Sequence, residues 1–396
     1  MPRLQNSLNL PEFSITLSAM RAFNPLLEID LAALCRNYRK LADATPEAEA
    51  AGVVKCDAYG LGAAAVGRAL MRQEKCRSFF VAYSEEGALL RKALGPAADI
   101  YVFNGPFEPY IEAYRRHRLI PVINTLDQAR LWASAMHDAP AAIHFDTGMR
   151  RLGLSPRDAD ALPGLPDLKI ALVMSHLACA SDPSHPMNVR QRELTMKIAA
   201  RFPDARVSLS SSGGALMGAP NDFNMTRIGV GLYGVNPFDA GATPVEPVAR
   251  LTAPVIQVQE IDAGETVGYG ATFTAGRKSV LATVSLGYGD GYPRAGSNRA
   301  AAVLCGVRCP IAGRVSMDLI VLDATAAPQR PQIGDRAEFF GPALPIDEAA
   351  AHCGTIGYEL LTGVGGLARP HSALGVRVER RYLWNGAPAD ATIAGE

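Results

Sequence analysis

Short apolar runs alternate with longer stretches of helical period between residues 50 and 233. The runs are typical of buried strands, and they lie at 53–55, 79–83, 100–103, 119–124, 142–145, 169–176, 206–210 and 228–234. The segments between them, such as SEEGALLRKAL and NVRQRELTMKIAARF, resemble helices in their period. Strands that alternate with helices in this way predict a parallel sheet whose strands are joined by crossover helices.

Eight such units in about 200 residues match the number that closes a (β/α)₈ barrel. An open doubly wound sheet is the alternative, but no GxGxxG motif follows the first strand. After about residue 248 the helical period gives way to short runs separated by Gly, Pro and Asp, such as KSVLATVSLGY and DRAEFFG, which predict antiparallel strands. We therefore predict an α/β fold in which a TIM-type (β/α)₈ barrel precedes a mainly antiparallel β domain.

The length of 396 residues exceeds what one ordinary core supports, which also favours two domains. We predict a flexible tail at 1–22, the barrel at 23–247 and the β domain at 248–396. The segment NPLLEIDLAALCRNYRKLAD (24–43) predicts a strand and a helix that the sequence assigns to neither domain.

Composition excludes several kinds of partner and site. Lys plus Arg equals Asp plus Glu at 39 each, so nothing favours nucleic acid or an anionic membrane as a partner. No apolar run approaches the roughly 20 residues that span a bilayer. The seven cysteines form no CxxC pair and have no zinc spacing, so we expect free thiols and no metal. Residues 1–22 lack the pattern of a signal peptide, and we expect a cytoplasmic protein.

The candidate chemistry begins at Lys55, which ends the first apolar run in AGVVKCDAYGLG (51–62). Burial lowers the pKa of a lysine, and a neutral amine forms a Schiff base with a carbonyl compound. The alternative is a lysine at a strand end that reaches into solvent. In a (β/α)₈ barrel, however, function lies on the loops after the strands, and a phosphate site commonly follows strands seven and eight.

Both of those positions carry suitable residues. SSSGGA (210–215) follows the seventh run, and Arg227 precedes two glycines in the eighth, so backbone N–H groups there can approach an anion closely. Taken alone, SSSGG is also compatible with an ordinary turn. A lysine that faces a phosphate site predicts pyridoxal phosphate as the cofactor.

The segment VVKCDAYGLG resembles the lysine signature of alanine racemases, which are pyridoxal-phosphate enzymes with a barrel and a C-terminal β domain. Further segments resemble the same family in the same order: HFDTGMRRLG (144–153), SHLACASD (175–182), SSSGG (210–214), NMTRIGVGLYG (224–234), VGYGATFTA (267–275), SLGYGDGYPR (285–294), GRVSMD (313–318) and GTIGYELLTG (354–363). The resemblance implies that L-alanine and D-alanine are interconverted through an external aldimine, which supplies D-alanine for peptidoglycan synthesis. It implies two catalytic residues, Lys55 and Tyr288, with Tyr288 supplied by the partner subunit of a homodimer.

The resemblance also implies roles for other residues. The phosphate contacts would be Tyr59, Ser212, Gly229, Val230 and Tyr358. Arg227 would donate to the pyridine nitrogen, and His176 would lie beside the ring, although a lone histidine is also compatible with a satisfied core residue. The substrate side would comprise Arg151, Met317, Asp318 and Tyr269, with Tyr269 supplied by the partner chain. Arg151 would also bind the cofactor, near its phenolic oxygen.

Two positions depart from the family pattern. Many members carry a lysine, whose carbamate holds the arginine, where this chain has His144, so we expect a bound anion or another polar group to hold Arg151. The family's basic segment after the final helix is replaced here by LARPHSALG (367–375).

Related pyridoxal-phosphate proteins are weaker alternatives. The barrel decarboxylases have a glycine-rich phosphate motif and a catalytic cysteine segment that this chain lacks, and the small cofactor carriers have one domain. A racemase of serine or lysine stays open, because a pocket separates one methylene by only about 1–3 kcal/mol.

Overall fold

The computed structural model describes residues 23–165, 167–218, 223–366 and 378–389. The predicted tail at 1–22 and the LARPHSALG segment lie outside the described residues. The chain begins with strand β1 (Leu26–Asp30) and helix α1 (Leu31–Asp43). The Asp30 carboxylate starts this helix, because it accepts hydrogen bonds from the backbone N–H groups of Ala32 and Ala33 at 2.9 and 3.1 Å.

Eight parallel strands then form a closed barrel. They are β2 (Glu49–Val53), β3 (Ser78–Val81), β4 (Asp99–Val102), β5 (Ile120–Ile123), β6 (Pro140–His144), β7 (Lys169–Met174), β8 (Arg206–Ser211) and β9 (Met225–Ile228). The barrel closes where β9 pairs with β2, with Arg227 opposite Ala51. The predicted barrel is confirmed.

Helices cover most of the barrel, as crossover connections require. They are α2 (Ala63–Gln73), α3 (Ser84–Leu94), α4 (Ile111–His117), α5 (Leu126–Ala135), α6 (Pro186–Ala199) and α7 (Ser212–Leu216). After β6 the connection contains two 3₁₀ turns, Pro156–Asp160 and Leu162–Gly164. Helix α1 packs against the 3₁₀ turn Val230–Tyr233 that follows β9, so the helix of the unassigned segment belongs with the barrel.

The remaining strands form the predicted antiparallel domain, which is also confirmed. They are β10 (Ala249–Ile261), β11 (Thr266–Val267), β12 (Phe273–Thr274), β13 (Ser279–Val284), β14 (Ala301–Leu304), β15 (Val307–Pro310), β16 (Ile320–Asp323), β17 (Arg336–Phe340), β18 (Glu379–Trp384) and β19 (Ala387–Pro388). Helices α8 (Ile346–His352) and α9 (Gly357–Val364) follow β17 in the described residues before β18.

The main sheet has the order β15–β14–β17–β10–β1–β18–β19, and β13 joins it through β10. Strand β1 pairs antiparallel with β10 and parallel with β18, so the first strand of the chain lies in the sheet of the C-terminal part. Leu27 and Ile29 of β1 are fully buried in one apolar core that continues from the barrel into this sheet. The domain boundaries at 247 and 248 stay a prediction.

Two strand predictions were wrong in detail. The first strand was predicted at 53–55, but it is β2 at Glu49–Val53, whose Glu, Ala and Gly residues have low strand propensity. The eighth was predicted at 228–234, but the strand ends at Ile228 and the apolar residues after it form the 3₁₀ turn. In the described part of the chain, no helix has the length and apolar character needed to cross a membrane.

Candidate active site

Lys55 lies two residues after β2, at the rim of the barrel, and the backbone after it is left-handed. Cys56, Asp57, Ala58 and Tyr59 have φ angles between 53° and 56°, and we call these four residues the left-handed turn. A left-handed conformation costs about 1–2 kcal/mol for each residue that has a Cβ. Contacts with other parts of the fold must therefore stabilise this turn.

Two carboxylates bind the turn. Glu86 of α3 accepts a hydrogen bond from the Cys56 N–H at 2.6 Å and another from the N–H of Ala82, which follows β3, at 2.7 Å. Asp57 accepts from the Ala63 N–H at 2.8 Å, which satisfies a backbone donor at the start of α2. The turn is thus joined to the neighbouring strand end on one side and to its own following helix on the other.

The Lys55 side chain is half-buried, and its ammonium nitrogen lies 5.9 Å from the centre of the Phe103 ring. Burial lowers the pKa of Lys55 below its ordinary value, and the positive charge of Arg151 adds to that effect, while Cys56 and Glu86 oppose it. The environment therefore shifts Lys55 towards the neutral amine relative to a lysine in water, and the neutral amine is the form that attacks a carbonyl carbon.

A cradle of backbone and hydroxyl groups follows β8 and β9. The Ser212 hydroxyl accepts hydrogen bonds from the N–H groups of Gly229 and Gly231 at 3.0 and 3.2 Å. A Cβ on Gly229 would lie 2.9 Å from the Tyr59 hydroxyl, so only glycine leaves this space open. Next to this space, the Tyr59 ring lies 4.6 Å from that of Tyr233 and 6.2 Å from that of Tyr358, centre to centre.

This cradle fits a phosphate group, because the Ser212 and Tyr59 hydroxyls and the glycine backbone surround a space that a side chain on Gly229 would fill. Val230 begins the 3₁₀ turn beside Gly229 and is buried. The structure therefore brings all five predicted phosphate contacts to one place at the rim of the barrel.

Arg227 of β9 is buried and lies two residues before Gly229 of the cradle. Its guanidinium donates to the Ser175 and Leu209 carbonyls at 2.6 and 3.1 Å and to the Ser208 hydroxyl. Burial alone lowers the pKa of Arg227 to about 9, and no carboxylate of the described residues contributes to the shift. A buried cation without a carboxylate fits a neutral acceptor such as a pyridine nitrogen, because it can only donate hydrogen bonds.

Two histidines next to Arg227 are neutral. Nη2 of Arg227 lies 3.4 Å from Nδ1 of His176. Because a guanidinium can only donate hydrogen bonds, Nδ1 is the acceptor. Burial, followed by the charge of Arg227, holds the pKa of His176 well below its ordinary value. The same two causes lower the pKa of His144 to about 4, so this residue carries no charge at neutral pH.

His144 has a polar partner of its own. Asn124 donates from its amide nitrogen to the Phe103 and Val122 carbonyls, so its oxygen faces His144 Nδ1 at 2.9 Å and accepts from it. The guanidinium of Arg151 is exposed, and among the described residues it forms no hydrogen bond or ion pair. The expectation that an anion or another polar group holds Arg151 stays a prediction.

The remaining predicted residues lie on the C-terminal domain. Tyr288 begins a 3₁₀ turn after β13, where its N–H donates to the Ser316 carbonyl at 3.0 Å and the next N–H donates to the Met317 carbonyl at 2.8 Å. Asp318 follows Met317, and Tyr269 lies in a second turn after β11. Tyr269, Tyr288 and Met317 are 72%, 41% and 56% exposed. Within the ranges that the structure covers, no hydrogen bond, ion pair or ring contact joins Tyr288 to Lys55.

Sequence reasoning missed several residues that shape the site. Glu86 carries a recognisable signal, since an acidic residue in the first turn of a helix commonly binds nearby backbone N–H groups. Gln191 of α6 gave no such signal, yet its amide donates to the His176 carbonyl at 2.8 Å and accepts from the Ala178 N–H at 2.8 Å. Phe103, Asn124 and Asp57 were likewise not singled out.

Comparisons with known proteins agree with this geometry. The family model "Alanine racemase, N-terminal domain" matches residues 29–237, and the model "Alanine racemase, C-terminal domain" matches residues 248–371. An alanine racemase of Methylobacterium sp. (strain 4-46) is 46% identical over 365 residues, which cover 90% of this chain and 97% of the relative. A catabolic alanine racemase of Agrobacterium fabrum is 43% identical over 380 residues, which cover 93% of this chain and 95% of the relative.

Solved structures are similar over the same extent. The crystal structure of alanine racemase from Bartonella henselae, with covalently bound pyridoxal phosphate, superposes with a TM-score of 0.83 at 37% identity. The superposition covers 91% of this chain and 99% of that one.

Proposed function

The chain belongs to the alanine racemase family, a family of pyridoxal-phosphate-dependent isomerases, and from that premise we propose that it interconverts L-alanine and D-alanine by a two-base mechanism. The observation that carries the proposal is the convergence of Lys55, the Ser212 and Gly229 cradle and the buried cation Arg227, which has no carboxylate partner among the described residues, at one rim of the barrel. Each of the three suits a different part of the cofactor.

In this proposal Lys55 holds the cofactor through its amine, and the cradle holds the phosphate. When bound, pyridoxal phosphate makes the Cα proton of the amino acid acidic by accepting electron density into its ring. Arg227 cannot surrender a proton to the ring nitrogen, because a guanidinium remains protonated in proteins. It thereby limits how much negative charge the ring takes up, which favours quick return of the proton over side reactions.

Racemisation requires that a proton leave Cα on one face and return on the other. Lys55 serves one face, and the burial that lowers its pKa makes it easier for the amine to be present in the form that accepts a proton. We assign the other face to Tyr288 and propose that the partner subunit of a homodimer supplies it. The exposure of Tyr288, Tyr269 and Met317 on one domain supports an interface there, because clustered exposed apolar side chains mark interaction surfaces.

A direct assay tests the reaction. Purified protein with pyridoxal phosphate is incubated separately with L-alanine, L-serine and L-lysine, and the D-enantiomer is measured by chiral chromatography. We expect D-alanine to form fastest, no D-alanine with Lys55→Ala, and retained cofactor absorbance without racemisation in Tyr288→Phe. Absence of D-alanine, or activity that survives Lys55→Ala, would contradict the proposal. Loss of the absorbance in Tyr288→Phe would indicate a structural role for this tyrosine.

A mixing experiment tests the shared site. Lys55→Ala and Tyr288→Phe chains with different affinity tags are coexpressed. If each site uses both chains, a mixed dimer contains one site with both changes and one intact site, so random pairing restores about a quarter of the sites. If each site uses one chain, no intact site forms and activity stays at the level of the single variants.

The physiological role that we propose is supply of D-alanine for peptidoglycan synthesis. Enantiomers have equal free energies in water, so the site itself sets no direction, and a relative described as catabolic is 43% identical to this chain. Growth of a D-alanine-requiring bacterium that expresses this chain, without added D-alanine, tests the role, and failure to grow despite racemase activity in the lysate argues against it. We further propose a cytoplasmic location, which the seven free cysteines support.

A further inference from the structure

The left-handed turn after Lys55 has a second anchor that lies outside the barrel. The Arg380 guanidinium, on β18 of the C-terminal sheet, donates to the Asp57 carboxylate at 2.7 Å. A different nitrogen of the same guanidinium donates to the carbonyls of Gly365 and Gly366, at 2.7 and 3.2 Å, just after α9. One arginine thus joins the turn that follows Lys55 to the end of the helix that carries Tyr358.

Packing around this arginine leaves the turn little freedom. A Cβ on Gly60 would lie 2.8 Å from the Leu361 carbonyl oxygen and 2.9 Å from Gly365, so the chain after the turn lies directly against α9. A Cβ on Gly62 would lie 2.0 Å from the Tyr382 hydroxyl. Tyr382 and Arg380 are two positions apart on β18, so both side chains lie on the face of the strand that meets the turn.

We propose that Arg380 is a positioning residue for Lys55: it acts through Asp57 to hold the left-handed turn and so fixes where the amine lies relative to the phosphate cradle. The Asp57–Arg380 pair is largely shielded from water, with side-chain exposures of 31% and 21%. A charge-assisted pair in that setting is stronger than a surface pair. Glu86 anchors the first residue of the turn from the barrel side, and Arg380 anchors the second from the C-terminal domain.

The proposal rests on the role of Lys55 in the proposed function, and its test includes a measurement that needs neither activity nor cofactor. Arg380→Met is compared with Arg381→Met, the matched control, whose arginine lies on the opposite face of β18 at 3.8 Å from Glu28. Hydrogen exchange of the peptide covering 54–63 is followed by mass spectrometry in cofactor-free protein. The dissociation constant of pyridoxal phosphate and, at saturating cofactor, kcat and KM for alanine are then measured.

For Arg380→Met we expect amide exchange in 54–63 to accelerate and cofactor affinity to fall, each on the order of tenfold, because a hydrogen-bonded charge pair is lost. We expect a larger fold-change in kcat than in KM, because the variant displaces Lys55 but leaves the residues predicted to bind the substrate in place. Arg381→Met should match the unmodified protein in every measurement. Arg380→Lys should recover part of the loss, because lysine keeps the charge but not the two-sided geometry.

Asp57→Asn and the double variant with Arg380→Met complete a double-mutant cycle, and Asp57→Asn alone tests the same contact if Arg380→Met fails to fold. If the two residues act through one contact, the double variant is no worse than the more impaired single variant. Additive losses, or exchange and cofactor affinity in Arg380→Met equal to those of Arg381→Met, would overturn the proposal. A protein that does not racemise alanine but shows the expected exchange would refute the proposed function and leave the positioning role supported.

Discussion

Replacement of His144 by Asn should weaken the acid sensitivity of the fold. In the folded protein the pKa of His144 is lowered to about 4 from its ordinary 6.5, because the residue is buried and faces Arg227. Between these two values the unfolded chain binds more protons than the folded one, so stability falls as the pH falls. The contribution of His144 is fully present above pH 6.5 and lost below about pH 4.

A shift of this size corresponds to roughly 3 kcal/mol when fully expressed. Linkage places about 2 kcal/mol of that loss between about pH 7.5 and about pH 5. Asparagine is the suitable replacement, because its amide nitrogen can still donate to the Asn124 oxygen that His144 Nδ1 now contacts at 2.9 Å. The variant therefore removes the titration and keeps the hydrogen bond.

The assay is urea denaturation of cofactor-free protein, so that the pH dependence of cofactor binding does not enter. The free energy of unfolding is measured at both pH values for the unmodified protein, His144→Asn and His137→Asn, whose histidine is exposed. We expect the pH-dependent loss to be smaller by about 2 kcal/mol in His144→Asn than in the unmodified protein, whereas His137→Asn serves as the control for removal of an exposed histidine. An equal loss in all three proteins would refute the reasoning, since His144 would then titrate alike in both states.

Three further predictions concern the cradle, the cofactor and the barrel shell. Gly229→Ala should lower cofactor affinity by on the order of tenfold, because the new methyl group would lie 2.9 Å from the Tyr59 hydroxyl. Spectral titration measures the affinity, and an unchanged value would contradict the assignment of the cradle as the phosphate site. Pyridoxal phosphate at about a hundred times its dissociation constant should stabilise the fold by about 2.7 kcal/mol and raise Tm in a thermal scan. An unchanged Tm would argue against binding to the folded state. Trp132→Ala should cost about 3–5 kcal/mol of unfolding free energy without altering KM, because Trp132 is fully buried between α4 and α5. A changed KM would indicate that Trp132 influences the candidate active site.

The barrel was predictable because parallel strands buried on both faces appear in the sequence as short apolar runs with helices between them. The hydrophobic pattern gave wrong strand bounds where the residue types favour a strand but the hydrogen bonds of the folded chain do not. The run VGLY at 230–233 has the composition of a strand, yet the N–H of Gly231 turns towards the Ser212 hydroxyl instead of a neighbouring strand. The pairing of β1 with β10 and β18 was not predictable, because the partners lie more than 200 residues away and no local signal identifies them.

The left-handed turn is the clearest case of tertiary structure overriding local preference. Nothing in the letters CDAY predicts four consecutive residues at positive φ, since Ala and Tyr disfavour that region. The sequence indicated only that Lys55 ends a strand and that glycines follow it. The conformation of the turn depends on Glu86, which lies outside every motif that the sequence singled out. It also depends on Arg380, which lies 323 positions from Asp57 in the chain.

These contacts also explain why the C-terminal domain matters to Lys55 even within one chain. In the proposed mechanism this domain supplies Tyr288 to the partner's site, yet its strand β18 and helix α9 contact the turn after Lys55 of their own chain. A barrel expressed alone as residues 23–247 would lose Tyr358, Arg380, Gly365 and the sheet partners of β1 together. We therefore expect such a fragment to bind pyridoxal phosphate weakly before any question of the second base arises. Spectral titration compares that fragment with the full chain, and equal affinity would show that cofactor binding needs neither Tyr358 nor the contacts of β18 and α9 with the left-handed turn.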